Sequence, residues 1–454
     1  KKFKYQGDIF MNKIKTIFTS ICATAILFAP VTVFAQDKDS VEEVIVTGSY
    51  LKGSAVDGAS PVEVISRDTI ENLGATTIAD IIRNMAIDSG SENNADSFTS
   101  GSTQGSSSVN LRGLGLSSTL VLFDGKRNTI AAQTANDGSV FVDTNSLPVN
   151  IIERVEVLKE GAASVYGSDA VAGVVNYIFR RDFTGFEVNA SKQQTDVGSQ
   201  TDDRLSFLMG TEINNANIVV SLSSLNRSPL PGTAIPEYAQ LGNSSFGSSF
   251  LIYPPAALAD LTPDQYVTSV ADGPYAGTYN ILSYVPDANC SANKGILIPM
   301  PDAAPGLSGG TLCGFFYGDR FNYVNDEDHF QSYFSVQKTL ANGVDFEIDY
   351  LMSEVDVNDN PQSPSYPALS YLTLPNIIMP GASGSPFSYP VLFRGRVLGS
   401  ASPSVNAPRA NENDRFSIEL SGTLENGYDW SLSYTDSSQT ASYFQPDTST
   451  SRLR

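Results

Sequence analysis

The chain has one histidine, three cysteines, one tryptophan, and only 28 basic residues against 49 acidic ones. Each scarcity excludes something. A Ser-His-Asp triad, a Cys-His pair or a histidine-rich metal site would have to be built on His329 alone. That residue follows Asp326-Glu327-Asp328 at the start of an alternating run and reads as a solvated strand end. A formal net charge of −21 argues against a nucleic-acid partner, because phosphate binding needs a basic surface. No pair of carboxylates stands out for glycoside hydrolysis. After residue 35 no stretch reaches the ~20 apolar residues that a membrane-spanning helix requires. Any later spanning structure must then be a closed β-barrel, since lipid offers no partner to a free backbone group. No catalytic residue, metal ligand or cofactor is expected.

What is present begins with an export signal. The chain opens on Lys1, but Met11 offers a better start, with Lys13 and Lys15 ahead of an apolar core from Ile17 to Phe34. Val33-Phe34-Ala35 supplies a small-residue cleavage site, so residues 11–35 read as a secretory signal peptide cut after Ala35. Residues 1–10 are then an upstream segment with no part in the fold. Pro30 and the interspersed threonines argue against a membrane anchor. Cys22 leaves with the leader. Cys290 and Cys313 remain, and an even pair in an exported protein reads as one disulfide. A bridge of that span would stabilise by roughly 3 kcal/mol.

Residues 36–60 are a polar tether carrying Glu43-Val44-Ile45-Val46-Thr47, a short β-prone segment able to add as an edge strand to another protein's sheet. Pro61 to Ile65 is a short strand. Asp68 can cap a first helix with Glu71 in its first turn, and Gly74 ends it. A second helix, Thr77 to Met85, sets Ile78, Ile81, Ile82 and Met85 on one face. Residues 89–108 are Ser/Gly/Asn-rich and read as a loop. Leu111-Arg112-Gly113-Leu114-Gly115 leads to the apolar run Leu120–Phe123, closed by Asp124-Gly125-Lys126-Arg127, a buried strand and its turn. The spacing of Gly113 and Gly115 is not a dinucleotide fingerprint. In residues 151–181 Ile152, Arg154, Glu156 and Leu158 alternate with Ile151, Glu153, Val155 and Val157. Small residues follow, then a second apolar run ending in Arg180-Arg181.

These pieces, in this order, resemble the plug domain of TonB-dependent receptors, the outer-membrane transporters of Gram-negative bacteria. The resemblance assigns the tether segment as a TonB box and residues 61–181 as the plug. A plug must sit inside a barrel on polar contacts, for which Arg112, Glu153, Arg154, Glu156, Arg180 and Arg181 are the candidates. Arg180 and Arg181 are expected to pair with inner-wall acids such as Glu347 or Asp349.

From residue 182 period-two alternation dominates. Val344, Phe346, Ile348, Tyr350 and Met352 alternate with Asp345, Glu347 and Asp349, and Phe416, Ile418 and Leu420 alternate with Ser417 and Glu419. Such segments, joined by tight turns (Asn214-Asn215, Asn342-Gly343, Glu425-Asn426-Gly427) and by long connections near 228–327 and 355–412, form the outer-membrane barrel signature. Seven strands are expected, near 184–194, 203–213, 217–227, 329–340, 344–355, 414–424 and 428–442. Plugged outer-membrane transporters use 22 strands, so residues 182–454 read as the N-terminal part of a transmembrane antiparallel β-barrel, truncated, behind an α+β plug domain. Aromatic-rich loop stretches, Ser363 to Leu372 and Tyr389, could stack on sugars or hold a chelate.

The resemblance implies active uptake, not enzymatic chemistry. The expected partners are a TonB-type periplasmic energy-transducing protein, outer-membrane lipid and an extracellular ligand. An iron–siderophore complex is the first expectation for that ligand and an oligosaccharide the second. A secreted β-rich adhesin is the reading from another class.

Overall fold

The computed structural model describes residues 62–444 apart from internal stretches, the longest at 253–266, 271–276, 303–308, 363–376 and 397–402. Everything described lies in one compact unit, Val44–Arg454. The leader, the tether and its β-prone segment, and the loop residues Ser363 to Leu372 and Tyr389 lie outside the described residues.

The chain first builds a small inner domain around a five-stranded sheet. Its strands are β1 (Val62–Ser66), β2 (Thr119–Phe123), β3 (Lys126–Arg127), β4 (Ile152–Leu158) and β5 (Gly173–Phe179), in the order β1-β4-β5-β2-β3. Only β2 and β5 run parallel. The β2–β3 turn places Asp124 and Gly125 at φ 54° and 75°. Two successive positive φ values make a type I′ turn, which the Asp-Gly pair favours. Two short helices cover one face: α1 (Arg67–Asn72) and α2 (Ile78–Arg83). The cap of α1 is Ser66, whose side chain accepts from the Thr69 backbone N–H, so the expected Asp68 cap is corrected to a first-turn acid. Thr77 and Asp80 form a reciprocal capping box that starts α2, and Ile78, Ile81 and Ile82 are buried.

Strand β4 departs from simple alternation. Its register against β5 slips between Ile152 and Arg154, leaving Glu153 as the extra residue. Beyond the bulge both faces are buried: Val155 and Val157 belong to the main apolar cluster, and Leu158 to a second one with Leu120, Leu122 and Val174.

Seven long strands follow and form one antiparallel sheet in sequence order: β6 (Gly185–Gln194), β7 (Thr201–Ile213), β8 (Ala216–Arg227), β9 (Asp326–Thr339), β10 (Asp345–Asp359), β11 (Arg409–Thr423) and β12 (Asp429–Tyr443). All seven expected strands form, with β10 and β11 reaching further toward the long connections than their sequence patterns suggested. The turns are tight: Asn214 and Asn215 both adopt positive φ between β7 and β8, and Gly343 and Gly427 do so in the later turns.

The register turns alternation into rows that cross the sheet. Phe186, Met209, Val220, Phe334, Tyr350 and Phe416 are successive partners on one face. Thr211, Ile218, Val336, Ile348, Ile418 and Tyr434 form the neighbouring row. On this face Phe186, Met209, Phe334, Tyr350 and Tyr434 are exposed. The opposite face carries Leu208, Ser221, Tyr333, Leu351 and Arg415, all buried against the inner domain.

The long connections are not bare loops. Ser248–Ile252 in the first pairs with Val391–Gly395 in the second. Gly295–Pro299 pairs with Thr311–Phe316, and the Cys290–Cys313 disulfide forms beside that pair, with both cysteines buried.

Gly173 opens β5 at φ 137°, where a Cβ would lie 2.4 Å from the Leu158 carbonyl oxygen and 2.7 Å from Leu111 Cδ1. Gly173→Ala is expected to destabilise the inner domain by at least ~1–3 kcal/mol. Limited proteolysis of the variant should show cleavage between residues 62 and 181 that the parent resists.

Candidate functional site

The seam between the inner domain and the sheet is the candidate site, because side chains from all seven sheet strands reach across it. Its centre is Arg181, two residues past β5. The Arg181 guanidinium lies 2.6 Å from Asp124 Oδ2 and 3.1 Å from Asp349 Oδ2, and it also pairs with Glu347. Lys126 Nζ, beside the type I′ turn, lies 3.0 Å from Glu347 Oε1 and 2.7 Å from Glu419 Oε2. Arg415 pairs with Asp349, both fully buried, and donates to the Phe123 carbonyl at 3.4 Å. Burial pushes the Asp124 carboxyl up, and Arg181 offsets only part of that rise. Removing one partner from such a buried set leaves an uncompensated charge, which costs about 3–5 kcal/mol.

The sequence candidates divide. Arg181 meets both Glu347 and Asp349. Arg180 meets neither: it lies 2.9 Å from Glu187 on β6 and 3.7 Å from Glu153, with its guanidinium over the Phe183 ring. Arg154 and Glu156 pair with each other, 2.8 Å apart, because residues two apart on a strand share a face. Arg112, at φ 58°, turns back and donates to the Ala172 carbonyl at 3.1 Å. These contacts of the three residues lie inside the domain.

Other residues cross the seam without having been singled out. Arg204 donates to the Thr76 carbonyl at 2.5 Å, and Asn150 accepts from Ser221 at 3.0 Å while donating to the Phe207 carbonyl at 3.1 Å. Gln331 donates to the Asn145 and Leu147 carbonyls at 2.6 and 3.1 Å. Thr103 to Ser108, expected as loop, is buried, with Gln104 accepting from Asn360 and Asn411. Asp143 accepts from the Ser107 and Asn145 backbones at 3.0 Å and from Gln439 at 2.8 Å. Burial raises its carboxyl to about 6, against those hydrogen bonds. Of these, only inward periodicity on the strands could have marked Gln331, Arg415 and Gln439.

Polar contacts are not the whole seam. Leu208, Val219, Tyr333 and Leu351 of the sheet belong to the same apolar cluster as Ile151, Val155 and Phe179, and the Phe179 and Tyr333 rings sit 5.4 Å apart. His329 is also corrected: it is buried on the inward face, 3.2 Å from Glu327, and not solvated.

Toward the long connections the seam opens into a cleft of about 250 Å³, lined by Arg83, Asp96, Gln200, Asp202, Arg227 and Tyr323 among others. Arg227 there pairs with Asp202 at 2.9 Å and Glu327 at 3.1 Å.

Residues 54–174 match the family described as the TonB-dependent receptor plug domain. The inner domain is a TonB-dependent receptor plug. The antiparallel sheet that follows it is its wall. Among solved structures the chain is similar to a ferric enterobactin receptor variant from Pseudomonas aeruginosa in complex with enterobactin, at 14% identity and TM-score 0.44, covering 83% of this chain and 41% of that one. It is also similar to the siderophore receptor PirA from Acinetobacter baumannii, at 15% identity and TM-score 0.35, covering 84% and 48%. A third is the pyoverdine receptor FpvA from Pseudomonas aeruginosa PAO1, at 12% identity and TM-score 0.38, covering 87% and 50%. The chain spans half or less of the length of these structures.

Two outcomes test the seam. Arg181→Glu would set a fourth carboxylate against Asp124, Glu347 and Asp349 and should free the plug for proteolysis, a loss of about 3–5 kcal/mol. Adding Glu347→Arg should restore only part of the resistance, because Asp124 and Asp349 still face residue 181. The second concerns pH. Asp143 holds its proton more tightly in the fold, at about 6 against 3.8, so its contribution to stability falls as pH rises through that interval and is level above it. Thermal midpoints of parent and Asp143→Asn, compared from pH ~4 to ~7, should shift in favour of the variant as pH rises.

Proposed function

We propose that this protein takes up a scarce ligand across the bacterial outer membrane, driven through a TonB-type periplasmic protein. The observation that carries the reading is the contrast between the two faces of the wall. One face presents Phe186, Met209, Phe334 and Tyr350 to the surroundings, and the other packs serines and buried charges against a plug. A sheet apolar outward and polar inward suits lipid on one side and a removable plug on the other. Strands of 12 to 15 residues from β7 to β12 exceed the ~9–11 needed to cross a bilayer. Export through the signal at 11–35 and presentation of Glu43–Thr47 to the TonB-type protein complete the scheme. An iron–siderophore complex is the first ligand class, and an oligosaccharide or other large nutrient is the second.

The test begins with fractionation of the natural host: recovery in the outer membrane is expected, and a soluble product outside the cell would overturn the reading. The purified receptor should bind the periplasmic domain of the host's TonB-type protein. Deletion of residues 43–47 should weaken that binding at least ~tenfold, about 1.4 kcal/mol, without changing membrane location. Unchanged binding would reject the segment as the contact.

A further inference from the structure

We propose that the cleft at the long-connection end of the seam seats an uncharged, hydroxyl-rich ligand, a sugar ring of an oligosaccharide. The inference rests on the uptake reading and selects between its two ligand classes. The cleft measures about 250 Å³, just under the ~300–1,000 Å³ range of drug-sized ligand sites, so it has room for one ring rather than a bulky chelate. It lies between the C-terminal end of α2 and the rim of β7 and β8.

Charge decides the ligand class. Arg227 donates to both Asp202 oxygens at 2.9–3.1 Å and to Glu327 at 3.1 Å. Arg83 lies 3.0 Å from Asp80 and donates to the Asn93 carbonyl at 3.2 Å. Both guanidinium groups are thus committed to the protein's own oxygens, and Asp96 and Asp202 match them in number on the lining. An anionic metal chelate entering here would meet two carboxylates and two cations already neutralised. A hydroxyl group both donates and accepts. It can accept from an arginine N–H and donate to the neighbouring aspartate without disturbing either ion pair. Gln200, which donates to Asp202 at 2.5 Å, keeps its amide oxygen as a further acceptor. Tyr323 adds an aromatic body, the surface on which the apolar face of a sugar packs.

The test uses the full receptor, purified in detergent from the host outer membrane. Two probes are applied: an array of neutral gluco-, xylo-, manno- and galacto-oligosaccharides, and a ferric tris-catecholate chelate. Binding to members of the array is expected, little changed when NaCl is raised about tenfold, since no net charge is recognised. Tyr323→Ala should weaken that binding roughly tenfold, while Tyr323→Phe should retain most of it. Circular dichroism and heat-modifiable migration would check that both variants fold. Binding of the chelate alone, with steep salt dependence and no effect of Tyr323→Ala, would overturn the proposal, and so would no binding to any array member. Failure of the uptake reading looks different: the protein would be missing from the outer membrane, or deletion of residues 43–47 would leave TonB-type binding unchanged, whatever the array shows.

Discussion

A guanidinium shared among three carboxylates holds this molecule to one arrangement. Arg181 ends the plug and precedes the first wall strand, so the chain crosses from one body to the other at a charge it cannot leave unpaired. Asp124 and Lys126 reach the same point from the β2–β3 turn, and Asp349 and Arg415 reach it from the wall. Each member needs the others, because a buried charge without partners costs several kcal/mol. The turn geometry, the register of β10 against β11 and the seating of the plug are therefore parts of one arrangement.

Around that centre the seam mixes two kinds of contact. The Phe179–Tyr333 pair and its apolar neighbours bury surface without directionality, while Asn150, Gln331, Asp143 and Arg204 fix position through hydrogen bonds to specific carbonyls and amides. Apolar contact supplies cohesion. The hydrogen bonds supply register, since each loses most of its worth when its angle fails. A plug held this way is placed by its hydrogen bonds, while its apolar contacts tolerate a small slide.

Much of this was legible in the chain. Alternation marked the wall strands because, from β7 to β12, one side of each faces the plug and the other does not. The Asp-Gly turn and the isoleucine stripe of α2 were equally plain. Other features were hidden for physical reasons. The bulge at Glu153 shifts the phase of β4, so the alternating pattern stops describing its faces. Thr103 to Ser108 has the composition of an exposed loop, yet its hydroxyls and amides are satisfied by Asp143, Asn93 and the wall, which lets it lie buried. His329 looked solvated among acids, but the inward phase of β9 carries it under the plug beside Glu327. Arg154 and Glu156 were read as candidates for the wall, and their spacing along one strand also pairs them with each other.

The outer rim adds a constraint of a different kind. Phe250 pairs with Phe393 across two connections that leave the wall on different strands, so five residues of one connection are read in register by five of the other. Lineages that exchange or rebuild these segments cannot do so one connection at a time. A change of length or phase in one leaves backbone donors on the other without acceptors. Divergence at the rim should thus proceed by coupled replacement of both connections, inherited as a unit although nearly 140 residues separate them in the chain.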